Sequence, residues 1–265
     1  MATFGICTSP ERGPALREMG YDYVEAGVFG YLRPQEKGAE IEAQLAPVAG
    51  GLPVEAFNGL IGGPFKLVGP DRSPGDVLRE YMRAAARRAK ALGGEVLVFG
   101  SGGARNVPQG YERAAAWDEI KAFLHICADA LAPLGMVLAI EPLNTGECNI
   151  LNSVAEGQKI ALEVGRTDAV AVLSDLYHVA RESQSFEETS AAARAGLLRH
   201  VHIACGPDRH APVKGDEAEL AAYFRALRAG GYDGRISIEA GLKDFDSGAP
   251  LALQVMRDAW AMSAS

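Results

Sequence analysis

Short apolar runs rich in β-branched residues alternate along this chain with longer segments whose hydrophobic positions recur at three- and four-residue steps. The short runs predict strands at TFGICT (Thr3–Thr8), YVEAGV (Tyr23–Val28), VEAFNG (Val54–Gly59) and VLVFGS (Val96–Ser101). Four more follow at VLAIEP (Val137–Pro142), VAVLSDL (Val170–Leu176), RHVHIA (Arg199–Ala204) and ISIEAG (Ile236–Gly241). The longer segments predict helices over Asp76–Leu92, Arg113–Leu134, Ser153–Val164 and Glu217–Ala229, with another around Glu36–Ala49. In the first of these, Val77, Tyr81, Ala84 and Arg88 mark the stripe expected to face a core. Strict alternation of strand and helix predicts a parallel sheet with helical crossovers. Eight units of roughly 33 residues match the βα unit of a closed (β/α)8 barrel. The rival, an open doubly wound sheet, normally shows GxGxxG after its first strand, and CTSPERG stands there instead. No Pro/Ser-rich linker interrupts the pattern, so one α/β domain over residues 1–265 is expected.

Composition narrows the function. The 265 residues carry 26 Lys+Arg against 34 Asp+Glu, a net charge of −8, which disfavours a phosphate backbone as partner. The cluster Arg83, Arg87, Arg88 and Lys90 reads as one solvated helix face rather than a basic patch. With 48% hydrophobic and 23% charged residues the chain reads as an ordinary globular protein. No apolar run is long enough for a membrane span. The opening MATFGICTSPERG has no secretory-signal pattern, and the four cysteines show no CxxC spacing. A reduced, cytoplasmic protein without disulfides or a zinc knot is expected.

Chemistry in such a barrel sits at the C-terminal ends of the strands. Ionisable residues collect there: Glu141 ends VLAIE, Asp175 ends AVLSD, His202 lies late in RHVHI and Glu239 ends ISIE. They stand one βα unit apart, on the last four strands. Two Glu, one Asp and one His form an oxygen-rich set suited to Mn²⁺, Mg²⁺ or Co²⁺. Without a cation, three such carboxylates would repel. Nearby lie His178 in SDLYH, Glu147 in EPLNTGE and Arg209 in CGPDRH. Asn144 and Asn152 read as loop-shaping or capping residues, and His200 as packed below His202. Glu25 and Asn58 lie at strand ends facing the same mouth, as substrate contacts or as core-edge and turn residues. VFGSGGARN lacks the GxxxxGK[ST] spacing and reads as a tight turn before a phosphate cradle. The stretch GLIGGPFKLVGP (59–70) reads as a lid or a surface excursion.

The quartet IEPLN, SDLYH, HVHIA and ISIEA resembles the sugar isomerase/epimerase superfamily of xylose-isomerase-like TIM barrels. Within it, EPLNTGECNILN is most similar to the ketose 3-epimerases of the tagatose and psicose type. The resemblance implies one divalent metal, Mn²⁺ before Mg²⁺ or Co²⁺, held by Glu141, Asp175, His202 and Glu239. It implies that Glu141 and Glu239 are the catalytic acid/base pair, and that Glu147, His178 and Arg209 bind a sugar substrate. A homo-oligomer, dimer or tetramer, goes with it. The scaffold also serves aldose–ketose isomerases of the hydroxypyruvate isomerase kind, keto-inositol dehydratases and isomerases, and abasic-site endonucleases. The endonucleases need several zinc ions and more histidines than the five present. A non-catalytic sugar-sensing barrel is the reading outside enzymology.

Overall fold

A computed structural model describes residues 2–264. Its strands are β1 (Thr3–Cys7), β2 (Tyr23–Gly27), β3 (Val54–Asn58), β4 (Val96–Phe99), β5 (Val137–Ile140), β6 (Val170–Asp175), β7 (Leu198–Ile203) and β8 (Arg235–Ile238). Each pairs in parallel with the next, and β8 pairs with β1 to close the barrel. Every strand stops one to three residues short of its expected end.

The helices are α1 (Gly13–Met19), α2 (Ala39–Gln44), α3 (Gly75–Ala91), α4 (Gly102–Arg105), α5 (Arg113–Leu131), α6 (Val154–Val164), α7 (Leu176–Arg181), α8 (Phe186–Arg194), α9 (Glu217–Ala229) and α10 (Phe245–Met262). The α6 boundaries follow from capping: Ser153 Oγ accepts from Glu156 N–H at 3.1 Å, and Gly165 closes the end in the left-handed region. Two expected helices come out shorter. Pro47 disfavours helical backbone at the residue before it, so α2 ends before it instead of running on to Ala49. Pro133 tightens Ala132–Leu134 into a 3₁₀ turn beyond α5.

The stripe expected on α3 is displaced. Its buried face runs through Leu78, Tyr81, Met82, Ala85, Ala86 and Ala89, while Val77 is exposed. Arg88 is not part of a solvated face. It is buried, donates to the carbonyls of Leu32, Arg33 and Glu36 at 3.0, 2.6 and 3.0 Å, and pairs with Glu42 at 2.9 Å. It thus ties the loop after β2 to α3.

The two-residue strand period sorts the core into two clusters. Leu97, Phe99, Leu138, Ile140, Ile236 and Ile238 face the helices. Tyr23, Ala56, Val96, Val98, Ala139 and Leu173 form a separate apolar cluster inside the barrel. Continuing each strand's inward parity by two residues gives Cys7, Glu25, Asn58, Gly100, Glu141, Asp175, His202 and Glu239, a polar layer on that apolar floor. The floor needs a glycine. Tyr23 crosses the barrel to bond Ser237 Oγ through its hydroxyl at 2.8 Å, over Gly5. Any Cβ on Gly5 would overlap the Tyr23 ring.

Gly5→Ala therefore forces the ring to shift and should cost about 1–3 kcal/mol of stability. The expected readout is a lower urea midpoint at unchanged slope. An unaltered midpoint would contradict this account of the floor.

Candidate active site

Glu141, Asp175, His202 and Glu239 converge as the strand pattern predicts. One ligand-capable atom from each lies within 4.8 Å of the others. His202 Nδ1 is 3.2 Å from Glu141 Oε1 and 3.4 Å from Glu239 Oε2. Asp175 also caps α7, its Oδ1 accepting from Tyr177 N–H at 2.8 Å, which leaves Oδ2 for the cluster. Space for Glu141 comes from Gly100 on the neighbouring strand, where a Cβ would collide with the Glu141 carboxylate. Below them Arg105, fully buried, donates to the carbonyls of Phe99 and Glu141 at 2.9 and 2.8 Å. VFGSGGARN is accordingly a tight turn, with Ser101 left-handed (φ 46°) and Arg105 clamping the ends of two strands. Residues 59–70 are no surface excursion: Ile61 N–H bonds Ser101 Oγ at 2.9 Å and Leu67 N–H bonds Ala104 O at 2.8 Å, with Leu60 and Leu67 buried.

The three residues expected to bind substrate surround the cluster. His178 Nδ1 accepts from Asn144 N–H at 3.2 Å and faces the Asn144 side-chain amide at 2.9 Å. Its proton therefore sits on Nε2, which has no hydrogen-bond partner among the described residues and faces Asp175 Oδ2 and Glu141 Oε1 at 3.6 and 3.9 Å. Arg209 projects from a turn whose backbone it holds left-handed (φ 54°). Its guanidinium meets Glu239 at 2.6 Å, Asp175 at 3.4 Å and Glu147 at 3.6 Å, above the Tyr177 ring. Glu147 also accepts from Asn144 Nδ2 at 2.8 Å.

Further partners were less legible. Asn144 shapes its loop as expected, accepting from Gly146 N–H at 3.0 Å, and also orients both His178 and Glu147. Asn152 is purely loop-shaping, donating to Leu143 O and Cys148 O at 2.7 Å each. Asn58 does reach the site and donates to Glu239 Oε1 at 2.8 Å. Glu25 is fully buried and holds two imidazoles instead of facing the mouth, His202 Nε2 at 2.9 Å and His200 Nε2 at 2.7 Å. His200 is thus packed, as expected. Those separations are hydrogen bonds and leave no room for an ion among the three. All four cysteines are free.

Electrostatics follow from the crowding. Burial and the neighbouring Glu141 charge push the Asp175 pKa up to about 8. Burial and Glu239 raise that of Glu141. Burial opposes ionisation of Glu239 as well, but His202 and Arg209 outweigh it and hold that carboxyl below its usual range. Burial, then Arg209, depress His178 to about 3, so its imidazole is neutral.

Fold and site together define a closed barrel with a carboxylate-rich, cation-ready mouth. The chain belongs to the xylose isomerase-like TIM barrel family, whose model matches residues 14–259. It is 27% identical over 259 residues to L-ribulose 3-epimerase of Mesorhizobium japonicum, covering 92% of this chain and 80% of that protein. It is 29% identical over 123 residues to 3-dehydro-D-guloside 4-epimerase of Escherichia coli, covering 46% of this chain and 45% of that one, so this match spans about half of that protein. A solved L-ribulose 3-epimerase superposes with a TM-score of 0.76 at 20% identity, covering 100% of this chain and 96% of the other. No helix among the described residues is long and apolar enough to cross a membrane.

The raised pKa of Asp175 sets a pH dependence. The folded state binds this proton more tightly than the unfolded chain does, so its contribution is fully present below the ordinary Asp range. It is lost as pH rises towards about 8. In the presence of a chelator, thermal stability should therefore fall between pH 5 and pH 8. Asp175→Asn should flatten that fall and melt higher than wild type at pH 8. Parallel pH profiles for the two proteins would contradict this assignment.

Proposed function

We propose that the protein is a divalent-metal-dependent sugar epimerase acting at carbon 3 of a free ketose. The observation that carries this reading is the convergence of three carboxylates and one imidazole within 4.8 Å, beside an unpartnered His178 Nε2–H aimed into the same space. Glu141, Asp175, His202 and Glu239 would hold the ion. The donor set fits one: three oxygens with one nitrogen favour Mn²⁺, with Mg²⁺ and Co²⁺ as neighbours in chemistry. When bound, the ion supplies Lewis-acid polarisation of the substrate carbonyl.

The chain's own residues supply the rest. Epimerisation beside a carbonyl removes the proton from one face of the carbon and returns one to the other, through a cis-enediolate. Glu141 on the β5 side and Glu239 on the β8 side are the two carboxylates that exchange those protons, and no redox cofactor is needed. Asn58 and Arg209 each grip one oxygen of Glu239, which fixes the direction in which it can act. His178 Nε2–H donates to the oxygen on which negative charge develops, and the Arg209 guanidinium reinforces it. Glu147, held by Asn144, accepts from substrate hydroxyls. Kinship with proteins named L-ribulose 3-epimerase and ketose 3-epimerase supports carbon 3 as the site of exchange.

The test is proton exchange followed by NMR in D₂O, with Mn²⁺-supplemented protein and a panel of ketoses, ketose phosphates, hydroxypyruvate and keto-inositols. Deuterium at carbon 3 of a free ketose with accumulation of its epimer is expected. Exchange at carbon 1 with aldose formation would replace the epimerase reading with an isomerase. Glu141→Gln and Glu239→Gln should each lower turnover by about 10²-fold or more. Arg209→Ala, which removes both a substrate contact and a partner of Glu239, should raise KM and lower kcat. Near-normal turnover in either Gln variant would remove that residue from the acid/base pair.

A further inference from the structure

We propose that Glu25 is a positioning residue that locks His202 in the one tautomer able to ligate a metal, with His200 as its brace. The proposal rests on the reading of His202 as a metal ligand. Glu25 is fully buried, so it touches neither solvent nor substrate. Its two oxygens are both engaged, Oε1 with His202 Nε2 at 2.9 Å and Oε2 with His200 Nε2 at 2.7 Å. A carboxylate only accepts, so both Nε2 atoms carry the proton. That leaves Nδ1, the atom that faces Glu141 and Glu239, as the nitrogen of His202 that would take the ion.

The rest of the arrangement agrees. His200 Nδ1 is buried without a hydrogen-bond partner among the described residues. With the proton on Nε2 that atom is a bare acceptor, not a stranded N–H. The His200 and His202 rings cross edge to face, at 81° with centroids 4.9 Å apart, and so pack against each other. Glu25 reaches them from β2, where the pairing with β3 shifts register between Val24 and Glu25. Such an irregularity re-aims the side chains that follow it. A carboxylate buried inside a barrel is costly, and an apolar residue would fill the space more cheaply. What an apolar residue cannot do is select a tautomer. A carboxylate behind a ligating imidazole is how proteins set ring orientation and basicity.

Glu25→Gln keeps the size but offers one acceptor and one donor, so it cannot receive a proton from both rings. In wild type, long-range ¹H–¹⁵N spectra of labelled histidine should show a proton on His202 Nε2. In Glu25→Gln a population lacking that proton should appear, and Mn²⁺ affinity measured by calorimetry should fall about 10–100-fold. His200→Gln can still donate to Glu25 and should stay close to wild type in both readouts. A folded Glu25→Gln protein with wild-type tautomer and wild-type Mn²⁺ affinity would overturn the proposal. Should that variant not fold, a wild-type spectrum with His202 protonated at Nδ1 but not at Nε2 would overturn it equally. Wild type with the expected tautomer but no Mn²⁺ binding would uphold the tautomer assignment and defeat the metal reading of the site instead.

Discussion

Like charges held together in a dry place are the constraint on which this molecule is built. Glu141, Asp175 and Glu239 bring acidic oxygens within 4.8 Å of one another at the mouth of a closed barrel. Two unit charges at that separation repel by roughly 3 kcal/mol at an effective dielectric of 20. The protein answers in several ways at once. Burial and mutual repulsion push the Asp175 and Glu141 carboxyls toward their protonated forms, Arg209 bridges Asp175, Glu239 and Glu147, and His202 stands between Glu141 and Glu239. None of these offsets all three carboxylates at once; a divalent cation together with Arg209 would. The repulsion within the cluster is the free energy such an ion would relieve.

The barrel makes such crowding possible without loss of fold. Its two-residue period places an apolar floor beneath a polar layer, with Asp175 and His202 inside β6 and β7 and Glu141 and Glu239 directly after β5 and β8. Room is made by omission: Gly100 has no side chain where Glu141 must lie, and Gly5 has none where Tyr23 must cross. Arg105 holds the carbonyls of Phe99 and Glu141, which joins the ends of β4 and β5 directly beneath a member of the cluster. Around this frame the neutral His178, its Nδ1 occupied by Asn144, presents a single N–H to the space where a substrate oxygen would sit.

Much of this was legible in the chain. Eight short runs at regular spacing identified the barrel, and the polar residue closing each of the last four strands identified the cluster, because a strand's parity is a local property. His200 was read as packed for the same reason. The misreadings came from contacts that parity does not encode. Arg88 looked like one more exposed cation, but carbonyls left free by the loop after β2 draw it inward. Val77 fitted the helical stripe on spacing alone, whereas the rotation of α3 against the barrel brings Leu78 inward instead. For Glu25 the strand pattern allows a substrate contact or a core-edge residue, and only the three-dimensional position of β2 relative to β7 shows that both its oxygens are spent on imidazoles. Gly100 carried no signal at all, since the collision it avoids belongs to a neighbouring strand.

The most direct test of the central claim is anomalous diffraction from crystals grown with Mn²⁺ and recorded near the manganese absorption edge. One peak is expected, about 2.0–2.4 Å from one atom each of Glu141, Asp175, Glu239 and His202, with Nδ1 as the histidine ligand. A peak elsewhere, or none at the barrel mouth with Mn²⁺ in excess, would contradict the account of this cluster as a metal site.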